Sequence, residues 1–292
     1  MALYELIEQP DLDEPVVVLA LEGWIDAGLA AGGAAETLCD VLDTVTVARF
    51  STDELLDYRA RRPIAHLVDG VLRGLTWPSL EVRAATDTAG RELLLVIGAE
   101  PDRLWQQFTD EVVALALDFG ARMCVGLGAY PFAAPHTRPS RIACTASTPA
   151  LAEGGLLRAS LDFPGGIQAA IEQACDARGI PSVGLWAQVP HYVPTVMPFP
   201  AGSVALIDAL AKVADLALPL GDLPSRAEAT RDRLNELMAQ NPQHLTMLHQ
   251  LEEGWDSSEP EDTSSMELSD LPSGDELAAE LEQFLRDRPD QA

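Results

Sequence analysis

Apolar runs of strand length recur along most of the chain, at Val16–Leu21, Val45–Phe50, Glu92–Gly98, Arg122–Leu127, Arg141–Ser147 and Ser182–Val189. Between several of them the apolar positions switch to helical spacing, which predicts helices over Ala27–Leu42, Pro101–Phe119, Gly166–Arg178 and Gly202–Leu216. Strands alternating with crossover-length helices predict an α/β fold, a mainly parallel or mixed sheet covered by helices on both faces. Asp102 is positioned to cap the second helix and Gly179 to stop the third. The stretch 64–91 breaks this rhythm at Asp69-Gly70, Gly74, Trp77-Pro78 and Ala89-Gly90. It reads as a β-hairpin insertion whose apolar face needs a partner, hence a candidate oligomer contact.

After Pro219 the pattern becomes purely helical. Ser225-Arg226-Ala227-Glu228 has the form of a capping box, and Asn241-Pro242 restarts a second helix to about Glu253. The expected organisation is an α/β core over 1–218, a helical lid-like appendage over 219–255 and a tail over 256–292. From Glu252 onward there are 14 acidic residues against Arg286 and Arg288, giving 2 − 14 = −12. That composition predicts disorder over Asp256–Ser273, followed by a short amphipathic helix at Asp275–Arg286.

Charge narrows the function classes. At −27 over 292 residues the chain lacks the cationic surface that nucleic acid or anionic membrane requires, so neither is an expected partner. Lys212 is its one lysine and lies in a helical pattern away from any Gly-rich turn, which argues against P-loop and Schiff-base chemistry. Cys39, Cys124, Cys144 and Cys175 are widely spaced and read as buried free thiols. His244 and His249 are five apart on one helix, turned about 140° from each other, so no metal is expected there. No cofactor is expected. With neither a leader-like N-terminus nor an apolar run long enough to span a bilayer, the chain is expected to be cytoplasmic.

Candidate chemistry clusters where strands end. Trp24 and Asp26 follow the first buried strand, and Asp26 reads either as a ligand contact or as the helix N-cap. Gly165-Gly166 opens a helix and could present amides to an anion, although a plain turn is the favoured reading of such a pair. Tyr130, His136 and Arg138 follow another strand, and His191 with Tyr192 a third. Were His136 and His191 to converge with Asp26, they could act as acid and base.

Four pieces taken in order carry a resemblance: Gly23-Trp24-Ile25-Asp26-Ala27-Gly28, Phe163-Pro164-Gly165-Gly166, His191-Tyr192-Val193 and the helical run from His244 to Glu252. Together they resemble the actinobacterial branch of the proteasome assembly chaperone 2 family. The resemblance implies a phosphorylase/hydrolase-like α/β core, a C-terminal helical segment lying over a pocket, and a homotrimer. It implies no defined activity. The expected function is a non-catalytic, oligomeric factor that binds a protein client or a ligand. The alternative is a hydrolase or nucleoside-phosphorylase-like enzyme using the strand-end crevice beneath the helical appendage.

Overall fold

In a computed structural model the chain is described over residues 2–23, 25–148, 151, 164–194 and 197–257. Trp24, Phe163, and the short helix and most of the acidic run expected in the tail lie outside the described residues.

The described residues form ten strands: β1 (Tyr4–Leu6), β2 (Val16–Glu22), β3 (Thr44–Phe50), β4 (Ile64–Val68), β5 (Val71–Thr76), β6 (Leu80–Thr86), β7 (Glu92–Ala99), β8 (Met123–Phe132), β9 (Ile142–Ala146) and β10 (Ser182–Pro190). Eight of them form one sheet in the order β1-β3-β6-β7-β2-β8-β10-β9. β2 is parallel to β7 and β8, and β8 to β10, while β1, β6 and β9 run against their neighbours. The result is a mixed sheet. Its centre is buried on both faces, as the near-continuous apolar runs require. Val16, Val18 and Ala20 of β2 face one core, and Val17 and Leu19 face the other. Full burial of each such Val or Leu contributes roughly 1.5–3 kcal/mol.

Among the described residues seven α-helices accompany the sheet: α1 (Ala30–Val41), α2 (Thr52–Leu55), α3 (Trp105–Asp118), α4 (Ile167–Ala177), α5 (Pro200–Val213), α6 (Leu223–Ala239) and α7 (Pro242–Ser257). Helices α1 and α5 cover one face and α3 and α4 the other. The small residues of α1 permit a close crossing with α5, where a Cβ on Gly33 would press against the Ser203 hydroxyl, which itself donates to the Ala30 carbonyl. No helix among the described residues is long and apolar enough to cross a membrane.

Several local expectations change. Helix α3 starts at Trp105 after Leu104 in the left-handed region, and Asp102 caps nothing there: its carboxylate accepts from the Asp57 amide and from Arg61. Gly179, at φ +83°, does stop α4, with the Ile180 amide closing onto the Cys175 carbonyl. The capping box does not form, because α6 begins two residues before Ser225, whose hydroxyl instead donates back to the Asp222 carbonyl. Helix α7 continues through Ser257, so Asp256 belongs to it rather than to the tail.

Within 64–91 only β4–β5 projects. Leu80–Thr86 is largely buried in the main sheet, whereas every residue of β4 and β5 is exposed. Leu67, paired with Leu72, is 66% exposed and its partner 57%. Ile64, Val68 and Val71 lie on the opposite face of the same hairpin and are exposed too.

Candidate functional site

Connections leave β2 and β8 in opposite directions along the sheet, which makes their junction the place where a doubly wound fold opens a crevice. A cavity of about 330 Å³ begins there, at Gly23, Asp26 and Glu100, and runs beside α4 across β8, β10 and β9.

The sequence builds this hollow with glycines. Gly126 of β8 stands opposite Gly184 of β10, and Gly128 opposite Trp186. A Cβ on Gly126 would overlap the carboxyl of Glu172 and the amide of Gln168, and one on Gly128 would overlap the Trp186 ring. Gly184 would meet the Thr145 hydroxyl. Glycine inside a strand weakens it, so three on one sheet face mark a close approach that the fold accommodates at a cost. Helix α4 supplies what approaches. Its Ile167, Ile171 and Cys175 bury into the core, and the adjoining i, i+4, i+8 row of Gln168, Glu172 and Asp176 lines the cavity. Gln168 Nε2 donates to Glu172 Oε1 at 2.8 Å, and the Trp186 indole donates to Thr145 Oγ1 at 3.2 Å.

The carboxyls of the cavity differ in what holds them. Asp26 accepts from the amides of Ala31 at 2.8 Å and Gly32 at 2.9 Å, so it caps α1 with both oxygens while its edge lines the cavity. Burial raises its pKa, against the lowering effect of those amides. Glu100 Oε1 accepts from the Ile167 amide at 2.7 Å and thereby closes the N-terminus of α4. The Gly165-Gly166 turn therefore does not offer that amide to an anion. Glu172 has Gln168 alone as hydrogen-bond partner among the described residues. Burial pushes its pKa up to about 7, with only the Gln168 bond opposing.

His136, Arg138 and Tyr192 lie elsewhere, where the appendage meets the core. His136 is buried, its Nδ1 and backbone amide each 2.8 Å from the Tyr192 hydroxyl and its Nε2 3.0 Å from Asn235 Oδ1 of α6. This pattern fits a neutral ring with the proton on Nε2, whose pKa burial lowers. Burial likewise pushes Tyr192 up to about 12. Arg138 forks onto Asp256 of α7 at 2.9 and 2.7 Å and reaches Glu252 at 3.3 Å. Arg141 stacks 3.9 Å over the Trp255 ring. Tyr130 accepts from Gln188 at 3.1 Å. His191 is exposed beside Tyr192, outside both the cavity and the His136 hydrogen bonds.

Asp26 therefore lies on the cavity, whereas neither histidine does, and no described residue of α6 or α7 lines it. The appendage, packed against α5 and the loops after β8 and β10, is not a lid over this hollow. Glu172, Trp186, Gln168, Thr145 and Glu100 are site residues that reading the sequence did not single out. Their available signal was the run of glycines inside otherwise apolar strands.

The sequence profile described as the PAC2 family matches residues 20–238. The chain belongs to the PAC2 family. Its likeness to solved PAC2-type structures is close. A Mycobacterium tuberculosis protein of unknown function is 35% identical at a TM-score of 0.83, covering 87% of this chain and 90% of that one. A proteasome-assembly chaperone homologue of the same organism is also 35% identical, with a TM-score of 0.73, covering 80% and 99%. An archaeal proteasome activator from Pyrococcus furiosus, 19% identical at a TM-score of 0.59 and covering 80% and 97%, shares the fold. No curated protein matches the chain.

Proposed function

We propose that this PAC2 protein is a non-catalytic binding factor that works as a homo-oligomer and engages a protein client. The observation that carries this reading is the β4–β5 hairpin, whose two faces are both apolar and both exposed. A two-stranded ribbon is marginal alone in water, and a second copy of the chain laid against it supplies the missing layer. The likeness to a proteasome-assembly chaperone homologue supports a client that is itself a protein. The phosphorylase/hydrolase-like core and the trimer implied by the sequence resemblance belong to the same reading. An enzymatic role draws less support, since Asp26, His136 and His191 do not share the cavity.

Sedimentation of the full chain tests the reading. The wild type is expected to run as an oligomer, and Leu67→Glu with Leu72→Glu as a monomer whose core melts unchanged. A monomeric wild type, or a double variant with the wild-type mass, overturns it.

A further inference from the structure

We propose that the Glu172 cavity binds an organic cation, a protonated alkylamine whose charge sits on the Glu172 carboxylate and whose carbon chain lies against the Trp186 indole. This site is separate from the hairpin, so either reading can fail without the other.

The first observation is charge. Asp26, Glu100, Glu172 and Asp176 all line the cavity, while no lysine, arginine or histidine does among the described residues. Asp26 and Glu100 are already matched by the amides of α1 and α4. Glu172 is not: one oxygen accepts from Gln168, and the other has no hydrogen-bond partner among the described residues. A half-buried carboxylate in a hollow, with no counter-charge among the described residues, is unfavourable unless it is neutralised or a cation comes to it.

The second observation is shape. The glycine pair Gly126 and Gly184 leaves room for this carboxyl, and Gly128 leaves room for the Trp186 ring. A hollow about 330 Å³ in volume is of small-ligand size. An indole ring lining the same hollow as a carboxylate suits an ammonium on an alkyl stem. A bare metal ion is a poorer fit, because no three acidic, histidine or cysteine side chains converge as ligands among the described residues. An anion is disfavoured by all four carboxyls.

The charged and titratable groups around Glu172 are Cys124 from β8, Cys175 and Asp176 from α4, and Glu100 and Asp26 at the strand-end rim; β9 and β10 bring Thr145 and Trp186. None of these is a cation. An arriving ammonium therefore holds Glu172 ionised and draws off the proton that its raised pKa keeps on it near neutral pH.

Calorimetric titration at physiological salt with n-butylammonium, and with 1-pentanol as its neutral analogue, tests the proposal. Expected is amine binding about tenfold or more tighter than alcohol binding. Proton release near pH 7 should appear as a dependence of the heat on buffer ionisation enthalpy. Glu172→Gln should lose the amine preference, by the same factor of about tenfold, without melting lower than wild type. Trp186→Leu should weaken amine binding by several-fold. Equal affinity for the two probes, no amine binding, or amine binding without proton release each overturns the proposal on the wild-type protein alone. Amine binding unchanged in Glu172→Gln overturns it too, as diffuse attraction to an acidic chain.

Discussion

Two clusters of ionisable side chains lie near the strand ends of this sheet, and they are resolved in opposite ways. Where α6 and α7 meet the core, each charge has a partner: Arg138 grips Asp256 and Glu252, His136 is bonded at both ring nitrogens, and Arg141 lies on Trp255. Beside α4, half-buried Glu172 has a single amide as hydrogen-bond partner among the described residues. A satisfied cluster of that kind works as a fastener, and its residues are held too firmly to do chemistry. An unsatisfied one is a cost to the fold, which is what marks a binding site. From sequence the candidates were Trp24 and Asp26 at a strand end and His136, Arg138 and His191 on loops, whereas the ligand contact proposed here is a glutamate on a plain helix.

The largest expected effect lies at the fastener. Trp255→Ala removes a buried ring and with it the stacking contact of Arg141, and the packing loss is about 3–5 kcal/mol. Because α7 is peripheral, the loss should appear as faster amide exchange through α6 and α7 with the sheet still protected. Exchange accelerating equally in β2 and β8 would mean that the appendage and core are one cooperative unit.

The next effect has the opposite sign. Glu172 has a folded pKa raised from 4.5 to about 7, so the folded state binds more protons and stability falls as pH rises between those values. Glu172→Gln should then stabilise the protein by up to roughly 3 kcal/mol at pH 8 and by little at pH 4. Denaturant melts of the pair at both pH values measure this. A destabilised variant at pH 8 would show the carboxylate to be compensated after all.

Tyr192→Phe is expected to cost roughly 1–3 kcal/mol, since it leaves the buried Nδ1 and amide of His136 without their hydroxyl. In the wild type, His136 has a lowered pKa, so the folded state resists the proton that the unfolded chain takes up near pH 6.5. The contribution of this junction is thus complete above that value and declines as pH falls through it. His136→Gln should flatten that part of the stability profile. Arg138→Gln, at an exposed fork, should have the smallest effect and one that shrinks with added salt.

Much of the architecture was legible because β2, β7, β8 and β10 are apolar on both faces and read as unbroken runs. Helices α1, α4 and α5 were legible from spacing and from the Gly179 stop. The cap at Asp102 and the box at Ser225 misled because the side chain that satisfies a helix end is chosen by tertiary proximity. Glu100 closes α4 from 67 residues away. The site was less legible for the same reason. Asp26 stands beside the helix it caps, so sequence could find it. The pairing of Gly126 with Gly184, and of both with Glu172, depends on strand register and on where α4 lands. No local pattern contains it.

The most direct test is a pH titration of the Glu172 carboxyl carbon by NMR in the full chain, with and without n-butylammonium. A midpoint of about 7 is expected in the free protein, displaced downward by about a unit or more when the amine is added. A midpoint in the ordinary glutamate range, or one that the amine leaves in place, would contradict it.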